Sequence, residues 1–257
     1  MKHRRPTIDF CVDDDLGYER SRTRFAPGAG LALDDAYRLA HLPLVAPDHP
    51  RVIATREGTP YEMGRHAQVF SLVLPIPGEA LRRSVAFLQL ESALRASPFA
   101  GKIAWNLWDR RQDKLHATLC GSLSVGAETP PKFDERQLGE LRRLGPIGVE
   151  LRGVFSGTVN IGRLYLRVYP ECRSGANLFR HIQRVLGRRE TDLYLVGVYN
   201  FTDDLDPVEA TALDSLIRQW WDRPLLRFEA DHLWLLGATD DLVLNGGVTA
   251  IVPLSDG

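Results

Sequence analysis

The chain predicts an α+β fold of two pseudo-symmetric lobes, with antiparallel-rich sheets facing a central cleft and helices outside. Three observations predict it. Segments that alternate apolar and polar residues, as half-buried strands do, take turns with segments of helical spacing. Two of those helices open on an aspartate, Asp134 and Asp206, each a good N-cap. The order strand, loop, helix, strand, strand occurs over residues 115–169 and again over 193–254. Such repetition implies units of related build with a cleft between them. The lobes run roughly over 104–170 and 190–254. They lie inside a domain of residues 61–257, behind an irregular N-terminal arm of residues 1–60.

The arm begins basic at Met1–Arg5 and turns acidic at Asp13–Asp15. Pro27-Gly28-Ala29-Gly30 is a flexible turn, Leu33–Ala40 a short helix, and Pro43, Pro47 and Pro50 keep the chain extended. Gln68–Pro75 is the first strand. A helix follows from Gly78 to about Ala96, with Leu81, Val85, Leu88 and Leu94 near helical spacing, until Ser97-Pro98 stops it. Lys102–Trp108 reads as a strand, and the charged turn Asp109–Asp113 leads into the strand around His116. Asp134 caps a helix that Gly145-Pro146 ends. Gly148–Phe155 and Leu164–Tyr169 are strands, and Asn177–Leu186 is a helix stopped at Gly187. In the second repeat, Leu193–Phe201 is a strand and Asp206-Pro207 starts a helix to about Trp221. Leu225–Leu236 and Leu242–Leu254 are the last strands, with a bulge or turn at Gly246-Gly247.

Composition excludes several classes. A net charge of −1 argues against holding long nucleic acid by bulk electrostatics, and leaves room for a small anion bound by local groups. Three cysteines without metal-ligand spacing fit free thiols in a reducing compartment. No apolar run nears the roughly 18 residues of a membrane span, and no signal peptide is evident. A cytoplasmic protein without a membrane partner is expected, its oligomeric state left open. HExxH, Gly-x-Ser-x-Gly and phosphate-loop motifs are absent.

The informative stretch is Lys114-Leu115-His116-Ala117-Thr118-Leu119-Cys120-Gly121. On a strand, positions 116, 118 and 120 point one way and 115, 117 and 119 the other. His116 and Thr118 then stand together: an imidazole that can move a proton at neutral pH, beside a hydroxyl that can bond an oxyanion. The bland alternative is a packed strand pair.

This stretch, with Ser97-Pro98-Phe99-Ala100-Gly101-Lys102 and Gly58-Thr59-Pro60 before it, resembles the 2H phosphoesterase superfamily, which includes the RNA 2′,3′-cyclic phosphodiesterases and LigT-like proteins. The similarity runs from about Gly58 to Leu254 and points to an uncharacterised branch. It implies a cyclic phosphodiesterase needing no metal or other cofactor, whose partner is a small phosphorylated ligand or an RNA end. His116 would be general acid or base and Thr118 a phosphate ligand. The superfamily's second His-x-Thr is degenerate here. Superposing the repeats sets Leu115 on Leu193, His116 on Tyr194, Thr118 on Val196 and Gly121 on Tyr199; a one-residue slip offers Leu195 and Gly197 instead. A missing acid or base costs roughly 10²–10⁴-fold in rate. The alternative reading is therefore an impaired module that binds a nucleotide or anion.

Tyr194 and His232 are the candidate second-lobe partners; otherwise Tyr194 is core and His232, beside Trp234, structural. Lys114, Arg65 and Arg110, with Arg111, are candidate phosphate ligands, although loop cations are usually solvated. Trp105 and Trp108 offer stacking surfaces but read more simply as core. His66 and His181 read as solvated or capping.

Overall fold

Alternating segments need neighbours to satisfy their backbone, and in this protein they find them in one sheet. A computed structural model describes residues 8–255; the basic Met1–Arg5 lies outside them. The strands are β1 (Arg65–Pro75), β2 (His116–Val125), β3 (Ile147–Phe155), β4 (Arg163–Pro170), the hairpin pair β5 (Cys172–Arg173) and β6 (Ala176–Asn177), β7 (Leu195–Asn200), β8 (Pro224–Ala230), β9 (His232–Asp240) and β10 (Gly246–Pro253). Apart from the hairpin they form a curled antiparallel sheet in the order β10-β9-β1-β2-β7-β4-β3-β8. The α+β class is as expected. The leading strands of the two repeats, β2 and β7, are neighbours at the middle. Beyond them β2 leads to β1, β9 and β10, and β7 to β4, β3 and β8. Strands drawn from 104–170 and from 190–254 are thus interleaved in one sheet.

The helices are α1 (Tyr18–Ser21), α2 (Asp35–Ala40), α3 (Leu42–Val45), α4 (Gly78–Arg83), α5 (Val85–Arg95), α6 (Trp108–Arg111), α7 (Glu135–Arg142), α8 (Leu178–Val185) and α9 (Pro207–Trp220). Side-chain caps start several of them. Asp134 with Gln137 and Asp206 with Glu209 form capping boxes, and Asp34 and Asn177 cap α2 and α8. Helix α8 packs on β2 and α9 on β3. No described helix is long and apolar enough to cross a membrane.

Four expected elements differ. Pro43, expected to keep the chain extended, lies in the first turn of α3. The helix over 78–96 is broken at Ser84, which is extended and caps Phe87 N–H. Lys102–Trp108 is a series of tight helical turns, with only Ile103 bridging to Phe201. The run Leu225–Leu236 is two strands parted at Asp231. Its first part pairs with β3 and its second with β1, so one straight strand cannot serve both partners.

The N-terminal arm packs into the core. Leu16, Tyr18, Leu33, Tyr37 and Leu42 are buried. Tyr18 Oη donates to Val168 O at 2.6 Å and receives Val168 N–H at 3.1 Å. Tyr37 Oη donates to Phe201 O at 2.6 Å. Asp13 accepts from Tyr169 Oη and from Trp221 Nε1, beside the buried Arg167. Arg167 pairs with Leu195, so these residues cover the β4 side of the face that carries His116.

Replacing Tyr18 with Phe takes the Tyr18 bond from the buried carbonyl of Val168, while the Val168 N–H keeps Tyr194 O. The substitution is expected to destabilise the fold by about 1–3 kcal/mol, read as a lower denaturation midpoint with an unchanged slope.

Candidate functional site

On β2 the parity holds at its start. His116 is half-buried and Thr118 exposed, while Ala117 and Leu119 sink into the core. Alternation predicts Cys120 on the His116 face, yet it is buried. The β1–β2 register slips between Leu72 and Val73, and a bulge of this kind resets the alternation.

His116 and Thr118 border a hollow of about 140 Å3, closed by Ser71, Val73, Leu236 and Val243, with His66, Asp240 and Asp241 at its wall. His116 Nδ1 donates to Lys114 O at 2.7 Å. That bond leaves Nε2 as the free acceptor of the neutral ring. Burial pushes its pKa down to about 4; the bond to Lys114 opposes this, and the charges of Arg111 and Arg163 add to it. At neutral pH His116 is an uncharged base.

His66 is its opposite. Arg65 pairs with Asp240, which brings residue 66 beside the Asp240–Asn245 turn. His66 Nδ1 donates to Ala67 O at 2.7 Å and Nε2 lies 3.3 Å from Asp241 Oδ1. Both ring nitrogens face acceptors, so the imidazolium is favoured. The hydrogen bond to Asp241 raises the pKa above its ordinary value, against burial. Burial would raise the Asp241 carboxyl too, but bonds from His66 and Tyr61 (Oη to Oδ2, 2.9 Å) hold it below the usual range. His41, stacked on Tyr37, also approaches Asp241, at 3.6 Å. Burial, then Arg163, pushes His41 down to about 3, so it is neutral. Asp240 is spent on the turn, accepting from the N–H groups of Leu242, Leu244 and Asn245.

Ala117 pairs with Val196 across the middle of the sheet, both facing the core. In an antiparallel pair this sets His116 opposite Gly197 and Thr118 opposite Leu195. The superposition of His116 on Tyr194 and Thr118 on Val196 is therefore one residue out of step. Tyr194 is buried beneath the sheet, its Oη donating to Thr191 O at 2.6 Å and its ring edge-on to Phe179. At Gly197 a Cβ would collide with the guanidinium of Arg163. Arg163 Nη1 donates to Asp241 O at 3.3 Å, its head lies over Tyr165, and its Nε has no partner. Buried Arg111 donates to Leu242 O at 2.9 Å and to Gly197 O at 3.1 Å. Burial and the neighbouring Arg163 lower its pKa to about 9. Among the described residues neither arginine is ion-paired to a carboxylate.

The other candidates lie elsewhere. His232, beside Asp231 and Trp234, lines a separate hollow of about 610 Å3 and stands two strands from β2. Lys114 contributes its carbonyl to His116, while its ammonium is exposed near Gly246 O. Arg65 lines a wider hollow of about 670 Å3 that adjoins the first at His66. Arg110 is exposed; Arg111 is the one that turns inward. Trp108 packs on Phe87 and Tyr199, and Trp105 bonds Ala100 O, as core residues do. His181 is half-exposed on α8. Sequence reasoning passes over Asp241 and Arg163 and sets His66 aside as solvated or capping. The one signal is the Asp240-Asp241 pair at a strand end, which nothing local ties to residue 66.

No family model matches the chain, and no curated protein matches it. Among solved structures the chain is similar to the crystal structure of TT0787 of Thermus thermophilus, at 15% sequence identity and a TM-score of 0.38, over 74% of this chain and 100% of that one. A likeness of that depth carries no residue or activity across.

Proton-sensitive NMR of the imidazoles is expected to find His116 titrating near 4 and His66 above its usual value. Asp241→Asn should bring His66 down. Stability follows the same linkage. His116 and His41 have folded values, about 4 and about 3, below the ordinary 6.5, so their contribution is present above pH 6.5 and is lost as pH falls towards those values. His66, raised, contributes below its unfolded value and loses that contribution as pH climbs through the folded one. Denaturant midpoints across pH 3–8 on wild type and on His116→Gln check the sign.

Proposed function

We propose that the protein is a metal-independent phosphoesterase of 2H phosphoesterase-like build, with its site in the hollow between His116 and His66. The substrate is a cyclic phosphate of a nucleotide or an RNA end. One observation carries the reading: two imidazoles border one small hollow with opposed proton preferences, His116 pushed down to about 4 and His66 drawn up from its ordinary value. A pair of titratable groups pushed apart by their surroundings marks an acid and a base. The second histidine comes from β1, not from β7 as the superfamily pattern implies.

In this mechanism Thr118 Oγ1 donates to a non-bridging phosphate oxygen. His116 Nε2 takes a proton from water, and the water oxygen bonds to phosphorus. The bond from phosphorus to one ribose oxygen breaks, and that oxygen takes the Nε2 proton of His66, whose N–H turns from Asp241 Oδ1 to deliver it. A phosphate monoester results. His116 then gives its proton to water and His66 takes one back from water, while Asp241 holds the ring.

The binding-only reading draws on Val196 and Gly197, which offer a phosphate neither a hydroxyl nor an imidazole. The two readings part under assay. His116→Ala is expected to lower kcat for a nucleoside 2′,3′-cyclic phosphate by roughly 10²–10⁴-fold with little change in affinity. Asp241→Asn should move the basic limb of the pH profile to lower pH, following His66. Turnover unchanged in His116→Ala would remove the catalytic reading. Binding without turnover by the wild-type protein would establish the other.

A further inference from the structure

We propose that Arg163, seated on Gly197 behind the residues that line the His116 hollow, supplies the positive charge for a tetrahedral oxyanion held there, in the place where a second His-x-Thr strand would otherwise stand. This rests on the phosphate-site reading above. It assigns the ligand's charge recognition to residues outside either motif.

The β2–β7 register sets position 197 opposite His116, and glycine there leaves a slot that Arg163 reaches from β4. A guanidinium carries five donors in a planar fork suited to phosphate oxygens. Arg163 uses Nη1 on Asp241 O, and Nε is idle. Arg111 lies beside it and bonds carbonyls alone. Neither cation has a carboxylate within ion-pair distance; Asp240 acts on Arg111 only through space, so an arriving anion would be favoured there. The nearby carboxylates are engaged: Asp240 by the turn N–H groups, Asp241 by His66 and Tyr61. An oxyanion between Thr118 and Arg163 would meet that charge. It would also lie beside His116, whose protonated form the two arginines now oppose. An arginine holds its proton at any physiological pH. Arg163 therefore positions and neutralises, and takes no part in proton transfer.

The test is calorimetric titration with inorganic phosphate, alongside NMR titration of His116. Arg163→Met is expected to weaken phosphate binding about ten- to a hundredfold, and Arg163→Lys by less. Gly197→Ala, which evicts the guanidinium without removing it, should resemble Arg163→Met. In wild type, bound phosphate should raise the His116 pKa; in Arg163→Met without phosphate it should already lie above its wild-type value. A purely structural arginine would alter melting but not the imidazole titration in a folded variant. Phosphate affinity and His116 titration unchanged in Arg163→Met would overturn the inference alone. No phosphate binding by wild type would overturn the phosphate-site reading with it. Arg163→Lys keeps a donor near Asp241 O, so it reports even if the methionine variant fails to fold.

Discussion

The pairing of Ala117 with Val196 governs everything at the site. Side chains alternate along a strand, so one pairing decides which residues of β2 and β7 meet above the sheet and which below. It sends Ala117, Val196 and Tyr194 into the core. It sets His116 and Thr118 against Gly197 and Leu195 on the open face. A shift by one residue would bury the imidazole and expose apolar side chains, so the buried face enforces the register that the site needs.

The N-terminal arm limits where that open face is usable. Tyr18, Asp13 and Tyr37 bond the strands of the β4 side and cover its polar surface, including Arg167. The face over β1, β2 and β9 stays free, and there the hollow lies. The two imidazoles at the hollow are gathered on one side of the sheet. The second imidazole comes from the start of β1 and the carboxylate from the turn after β9.

Electrostatics then divides the labour. His116, half-buried and near two arginines, is pushed towards the neutral form. His66, bonded to a carboxylate, is drawn towards the charged one. The same Asp241 that fixes His66 offers its carbonyl to Arg163, so the turn Asp240–Asn245 holds both side chains. The double use of one short turn makes the site sensitive to changes there that touch neither histidine.

Much was legible in the sequence because its causes are local. The aspartate and asparagine caps start α2, α7, α8 and α9 through bonds to N–H groups two or three residues on. The pattern around His116 reads as a strand because period-two alternation needs no knowledge of the partner. The α+β class and the pairing of His116 with Thr118 on one face followed from that. Where a residue's role depended on a distant partner, the sequence was silent. The 225–236 run had to be split between two neighbours, Tyr194 lay one register step from the expected face, and His232 went to another hollow. His66 gained its proton preference chiefly from Asp241, and Gly197 leaves the room that Arg163 fills. Local bonds and periodicity are written in adjacent residues. Strand register and the field at a side chain arise from segments brought together by folding, and only the tertiary structure decides them.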